Sequence, residues 1–74
     1  MIGSMYIRIG NQVSWKWLNS VASGEIIGIS YEKTQIESKG KLITRNGTKD
    51  NPAVIIKHKN GNLVIKLKSE LISK

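Results

Sequence analysis

The chain has 74 residues and no cysteine, and its 12 Lys and Arg residues outnumber its 5 Asp and Glu residues. This length predicts one domain with a small core, and the lack of thiols excludes disulfides, thiol chemistry and cysteine-based metal sites. The formal net charge of +7 favours polyanionic partners, unless the lysines only keep a small β protein soluble. No long apolar run occurs, so we expect no membrane insertion and a cytoplasmic location.

The N-terminal residues predict a lead-in followed by a strand. We expect residues 1–8 to form a short, frayed lead-in and residues 9–72 to form a single domain. Apolar and polar side chains alternate over residues 12–17, which is typical of a half-buried strand. This strand places both tryptophans, Trp15 and Trp17, on its apolar face.

The middle of the chain is less regular. Residues 20–32 predict a longer strand, but Ile26 and Ile29 are three apart and break the alternation of a simple strand. A bulge near residues 27–28 would turn both isoleucines inward and add the bend that a small barrel needs. Residues 33–52 predict polar loops with one short strand at their centre.

The C-terminal hairpin is the most strongly patterned stretch. Residues 53–68 (AVIIKHKNGNLVIKLK) place two apolar runs around Asn60-Gly61, a pair that favours a two-residue type I′ turn. That turn would set Lys57 opposite Val64 and form one apolar face and one basic face. The predicted apolar wall contains Val54, Ile56, His58, Leu63, Ile65 and Leu67, and the predicted basic face contains Lys57, Lys59, Lys66 and Lys68.

The predicted elements define the fold class. Residues 69–72 resemble a single helical turn, and no helical period of useful length occurs elsewhere. Five short strands separated by glycine and asparagine turns predict an all-β domain. At this length we expect a small five-stranded SH3-like barrel with a short C-terminal helical turn.

Seven short motifs occur in order along the chain: GNQVSWKW from Gly10, GEI from Gly24, KGK from Lys39, RNG from Arg45, DNPA from Asp50, NGN from Asn60 and KSEL from Lys68. In this order they resemble the Tudor-type domain of the hypervirulence-associated protein family of bacteria and fungi. The resemblance covers residues 9–72 and departs from the family pattern at Asn11, usually Asp, and at Asn51, which separates Asp50 from Pro52. It implies an SH3-like, Tudor-like barrel and no established biochemical activity.

The sequence offers little for catalysis. His58 is the single histidine, and its place on the predicted wall favours a partly buried core or rim residue. The carboxylates are scattered without an acid/base pair, and no nucleophile motif, phosphate-binding glycine loop or metal-ligand cluster is present. We therefore predict a non-enzymatic protein without a cofactor or metal.

Aromatic residues form one set of candidate binding residues. An aromatic cage or groove needs several exposed rings, whereas a barrel this small also needs large side chains for its core. Core packing is favoured for Trp15 and less so for Trp17, which approaches the strand end and would form a stacking platform beside Tyr31. The candidates for an aromatic groove are Trp15, Trp17, Tyr31 and Tyr6.

Basic residues form the other set. Four lysines on one rigid ribbon predict weak, sequence-independent and salt-sensitive binding of DNA or RNA, with a solvated lysine face as the alternative. A peptide- or protein-interaction module that uses the aromatic groove is the competing class, and homodimerisation through an edge strand is a further option. The nucleic-acid-binding candidates are Lys57, Lys59, Lys66 and Lys68, extended by Lys16, Lys39, Lys41 and Arg45.

Overall fold

The computed structural model describes residues 7–72, so most of the predicted lead-in, including Tyr6, lies outside the described residues. The described chain is built from strands and one short 3₁₀ turn, which confirms the all-β, SH3-like and Tudor-like fold class. The strands are β1 (Gln12–Trp17), β2 (Ser20–Ser30), β3 (Lys33–Ser38), β4 (Lys41–Asn46), β5 (Ala53–His58) and β6 (Leu63–Leu67), and the 3₁₀ turn is Lys68–Glu70.

Residues 7–72 contain six strands where five were predicted, because the sequence pattern does not reveal β3. β3 reads KTQIES and has Ile36 as its one large apolar residue, so its alternation carries little hydrophobic signal. Its inner face is half-buried at Thr34, Ile36 and Ser38. Pairing with β4 rather than its own hydrophobicity therefore defines this strand.

The strands form two antiparallel sheets, and the segment after β6 pairs with the edge of the larger one. One sheet has the order β1-β2-β5-β6, and β3 and β4 form a separate hairpin. After the 3₁₀ turn, Leu71 forms a β-bridge with Trp15, and the Ile72 N–H donates to the Ser14 carbonyl at 2.8 Å. The segment that follows β6 thus pairs with the outer edge of β1 and curls the sheet into a partial barrel.

The predicted bulge in β2 is confirmed. Ile26 pairs with Ile56 and Gly28 pairs with Ile55, so Ile27 is the extra residue and its side chain is exposed. The shift places Ile26 in the core with no exposed surface and lets Ile29 pack against the same cluster. Bulges increase the local bend of a strand. The bent β2 pairs with β1 through its first half and with β5 through its second half.

The core lies between β1, β2 and β5 and includes the first tryptophan. Trp15 is only 2% exposed, which confirms the prediction that it packs in the core. Its ring meets the half-buried His58 edge to face, with centroids 6.2 Å apart, and so confirms His58 as a partly buried rim residue. The main cluster contains Val13, Trp15, Ile26, Val54, Ile56 and Leu71.

The predicted register of the C-terminal hairpin is wrong by one residue. The Gly61 N–H donates to the His58 carbonyl and the His58 N–H donates to the Asn62 carbonyl, both at 2.9 Å, so the loop has three residues. Gly61 alone in this loop has a positive φ, of 91°, as in a type I turn followed by a glycine bulge. Ile56 therefore pairs with Val64 and not with Ile65.

This shift corrects the predicted apolar wall and basic face. Val54 and Ile56 face the main cluster, but Ile65 pairs with Ile55 and points to the opposite side of the sheet, together with Leu63 and Leu67. Ile65 is nevertheless buried, and the β3–β4 hairpin contacts β6. Both faces of the C-terminal hairpin are therefore covered, and no single wall carries all the predicted residues.

Candidate functional site

The tips of two hairpins meet at the start of β6. β3 and β4 are joined by Lys39 and Gly40, whose φ values of 54° and 76° fit a type I′ turn. Just before this turn, the Ser38 hydroxyl donates a 2.6 Å hydrogen bond to the Leu63 carbonyl. Leu63 pairs with Lys57 at the end of β5, so the bond joins the two tips.

Four exposed lysines surround this hydrogen bond, and we call them the basic tips: Lys39, Lys41, Lys57 and Lys59. Lys41 is the cross-strand partner of Ser38, and Lys57 is the partner of Leu63, so both lie beside the bond. Lys39 and Lys59 belong to the two turns themselves. The fold thus gathers lysines that are far apart in the chain at one place on the surface.

The structure does not bring the other predicted basic residues to this place. Lys66 pairs with Val54 and therefore points away from the face that carries Lys57, so the predicted face of four lysines is wrong. Lys68 opens the 3₁₀ turn beyond the far end of β6. Lys16 is exposed on β1, opposite Val21.

Arg45 links β4 to the 3₁₀ turn that follows β6. Its Nε donates to the Glu70 carboxylate at 3.0 Å, and its Nη1 donates to the Thr44 carbonyl at 3.1 Å. Over residues 7–72 this is the one ion pair between side chains. The guanidinium links the 3₁₀ turn to β4, and its positive charge is paired with the Glu70 carboxylate.

The 3₁₀ turn is further fixed by its own polar groups. The Leu67 N–H donates to the Glu70 carboxylate at 2.7 Å, and Asn51 and Ser69 exchange two hydrogen bonds of 2.9 and 3.1 Å. Partial burial raises the pKa of Glu70, but the hydrogen bonds from Leu67 and Arg45 outweigh it and leave the pKa below its ordinary value. These contacts position Leu71, which enters the core directly after the turn.

Replacing Glu70 with glutamine should destabilise the domain by about 1 kcal/mol at neutral pH, because the charged hydrogen bonds are lost on a partly exposed side chain. A carboxylate whose folded pKa is lowered stabilises above its unfolded pKa and loses that contribution as the pH falls through the folded value. The unfolding free energies of Glu70→Gln and wild type, measured in urea, should therefore converge in acid. A difference that stays constant from neutral pH to about pH 3 would contradict this role.

Within residues 7–72, the aromatic candidates do not form a groove. Trp15 is buried, and Tyr6 lies outside the described residues. Trp17 and Tyr31 are 57% and 60% exposed, but Trp17 pairs with Ser20 at the start of β2 and Tyr31 follows its last residue. The predicted platform of Trp17 beside Tyr31 is therefore wrong, since an 11-residue strand separates them.

Leu18 is the most exposed of the large apolar residues that the sequence analysis missed within residues 7–72. Leu18 lies in the β1–β2 turn, is 83% exposed and has a positive φ of 54°. A leucine in this conformation is uncommon, because its Cβ approaches the following carbonyl. Its signal in the sequence was the apolar pair Trp17-Leu18 placed directly before the turn residue Asn19.

Two further features bear on the class of protein. In the part of the chain that the structure describes, no three His, Cys, Asp or Glu side chains stand close enough to hold a metal ion. The described residues also contain no helix of the length and apolarity that a membrane span requires.

Comparison with known proteins identifies the family. Searches of curated proteins and of solved structures gave no significant match. A protein-family model described as the Tudor domain of hypervirulence-associated proteins matches residues 10–71, which is most of the chain and includes all six strands of the described residues. The match agrees with the motifs, the curled antiparallel sheet and the closing 3₁₀ turn. The chain therefore belongs to the family of Tudor domains of hypervirulence-associated proteins.

Proposed function

We propose that this domain is a non-catalytic binding module that holds nucleic-acid backbones weakly, and without sequence preference, through the basic tips. Domains of the Tudor type are typically binding modules. The observation that carries the proposal is the hydrogen bond from Ser38 to Leu63, which brings four exposed lysines from two hairpins together. Lysines placed on neighbouring rigid turns can each neutralise a phosphate, and the release of counterions then favours binding.

The charges in the basic tips are not neutralised within the domain. Glu25 lies directly across from Lys57 on the neighbouring strand, and Glu37 precedes Ser38. No carboxylate in residues 7–72, however, lies within 4.0 Å of a lysine nitrogen. These lysines are therefore available to an external anion. Two neighbouring carboxylates against four lysines also favour a weak site over a tight one.

The backbone at Lys39 supports the same conclusion. Its φ of 54° places a lysine where a type I′ turn favours Asn or Gly. Over residues 7–72, Lys39 and Leu18 are the two non-glycine residues with positive φ, and both lie at hairpin tips. Strained residues of this kind concentrate at functional sites, and the lysine gives this turn a charge that asparagine would not.

Within residues 7–72, the aromatic candidates give less support to the competing classes. A peptide groove or an aromatic cage needs neighbouring exposed rings, and Trp15 is buried while Trp17 and Tyr31 are separated. Homodimerisation and a cytoplasmic location stay predictions from the sequence.

Amide chemical-shift titration tests the proposal. We would titrate ¹⁵N-labelled protein with an oligothymidylate of about 12 nucleotides, and with a duplex of the same length, at about 20 mM and about 200 mM salt. Shifts should centre on Lys39, Lys41, Lys57 and Lys59 and should fade at the higher salt. The absence of shifts at low salt would contradict nucleic-acid binding, and shifts centred on Lys66 and Lys68 would contradict its location.

A further inference from the structure

The β1–β2 hairpin projects beyond the rest of its sheet. The last pair between β2 and β5 is Gly24 with His58, whereas pairing between β1 and β2 continues as far as Trp17 with Ser20. A two-stranded ribbon therefore extends beyond the part of the sheet that β5 supports. We call its apolar end the ribbon tip, which consists of Trp17, Leu18 and Val21.

The ribbon tip is apolar on both of its faces. Trp17 lies on the face of Trp15, and Leu18 forms the end of the ribbon. Val21 pairs with Lys16 and therefore lies on the opposite face. The three side chains are 57%, 83% and 60% exposed, and none of them belongs to the core cluster. A groove on a protein would cover one face of such a ribbon, whereas a lipid layer surrounds an end that enters it.

The position of the charges agrees with contact to lipid. Residues 12–24 contain a single charged side chain, that of Lys16, which is exposed. At about 3.3 Å per residue, Lys16 lies about 7 Å from the end of the ribbon. Amphipathic surface elements enter a bilayer by about 5–10 Å, so an immersed tip brings this ammonium group to the headgroup phosphates. The first carboxylate along β2 is that of Glu25, which lies about 13 Å farther from the end.

The conformation of Leu18 also indicates a role outside the fold. Its φ of 54° favours Gly or Asn, and a leucine there adds strain without adding to the core. Strained residues persist where they serve a function. The next residue, Asn19, is exposed and polar, so the end of the ribbon suits the headgroup layer and not the hydrocarbon core.

We propose that the ribbon tip binds the surface of membranes that contain anionic lipids. Trp17, Leu18 and Val21 enter the headgroup layer, where an indole places both its apolar rings and its polar N–H favourably. Lys16 contacts the lipid phosphates, and the net charge of +7 adds attraction to an anionic surface. The contact is peripheral, since an end about 7 Å deep does not cross a hydrocarbon core of about 30 Å.

Co-sedimentation with lipid vesicles tests this proposal. Vesicles of phosphatidylcholine, with and without about 30% phosphatidylglycerol, would be mixed with the full chain at about 20 mM and about 150 mM salt. Wild type should bind the anionic vesicles at least about tenfold more tightly than the neutral ones, and this difference should shrink at the higher salt. Because Trp15 is 2% exposed, a blue shift of tryptophan emission on binding should come from Trp17. Lipids brominated near the headgroup should quench it more than lipids brominated at the chain end.

Two double variants of equal net charge separate the ribbon tip from exposed apolar surface in general. Trp17→Thr/Leu18→Asn removes an aromatic ring and a leucine from the tip and should weaken binding to anionic vesicles at least about tenfold. Tyr31→Thr/Leu42→Thr removes an aromatic ring and a leucine of similar exposure elsewhere and should change binding by less than about twofold. Asn fits a positive φ better than Leu, so the tip variant should stay folded, which circular dichroism would confirm.

Four results would overturn the inference. If wild type does not bind anionic vesicles at low salt, the ribbon tip is not a membrane contact. Equal losses in the two double variants would assign the binding to exposed apolar surface in general, and full binding by the tip variant would assign it to charge alone. If wild type forms a dimer in solution that the tip variant dissociates, a second copy of the chain covers the tip. None of these results bears on nucleic-acid binding, which uses the basic tips and is measured separately by the oligonucleotide titration.

Discussion

Replacing Lys39, Lys41, Lys57 and Lys59 with glutamine should remove most nucleic-acid binding while leaving the fold intact. Dissociation constants for non-specific binding are about 1–100 µM, and we expect an increase of at least tenfold. The plot of log affinity against log salt should lose about 3 units of slope, because each phosphate contact to a single strand contributes about 0.7. Stability should change little, since all four side chains are exposed.

The matched control replaces Lys33, Lys49, Lys66 and Lys68 with glutamine. Both variants lower the formal net charge by four, from +7 to +3, so a long-range effect of charge would weaken binding equally in each. A local site predicts that the control keeps most of its affinity and salt slope. Equal losses in the two variants would place the attraction in the overall charge of the domain and not in the basic tips.

The location of these lysines could not be read from the sequence, because it depends on the geometry of a turn. Asn60-Gly61 is the pair most typical of a type I′ turn, and that turn would put Lys57 and Lys66 on one face. In the structure, the Asn60 side chain accepts a 2.9 Å hydrogen bond from the Asn62 N–H, and of the residues in this loop only Gly61 takes a positive φ. The extra loop residue shifts the register by one and places Lys66 on the opposite face from Lys57.

The type I′ turn occurs instead at Lys39-Gly40, where the first position is a lysine. Local propensity gives little reason to expect it, since Lys is not favoured at positive φ. The cross-strand pairing of Ser38 with Lys41 leaves only two residues for the loop. A two-residue loop between twisted strands adopts a primed turn, so tertiary pairing overrides the local preference here.

The core was predictable where alternation and burial coincide. Val13 and Trp15 are buried as the pattern of β1 predicts, and the broken spacing of Ile26 and Ile29 reveals the bulge. Alternation assigns side chains to a face but does not say how far the core extends along a strand. Trp17 shares the face of Trp15 and is exposed because its strand continues past the core.

The motifs that carry the family resemblance describe the closure of the fold more than its surface. Arg45 pairs with Glu70, and Asn51 binds Ser69, so separate motifs meet around the 3₁₀ turn. Their shared effect is to direct Leu71 into its bridge with Trp15. A match to such motifs therefore identifies the architecture well and says less about the ligand, which the basic tips would contact.

Gly24→Ala should strongly destabilise the domain, because Gly24 lies where β1, β2 and β5 meet. A Cβ at this position would lie 2.5 Å from the Lys57 carbonyl oxygen and 2.7 Å from the Ile56 side chain. The carbonyl belongs to the backbone of β5 and cannot move without breaking its pairing with β2. We expect a loss of about 3 kcal/mol, a large part of the stability of a domain this small.

Thermal and urea unfolding of Gly24→Ala and Gly28→Ala would measure the difference on one strand. At Gly28 a Cβ would lie 3.3 Å from the Ile55 Cδ1, the end of a flexible side chain, so Gly28→Ala should lose less than about 1 kcal/mol. Gly24→Ala should lower Tm by about 15 °C, as about 3 kcal/mol implies in a domain of this length. Both substitutions change strand propensity alike. Equal losses of stability in the two variants would therefore mean that the loss of glycine itself, and not the close approach of β5, is responsible.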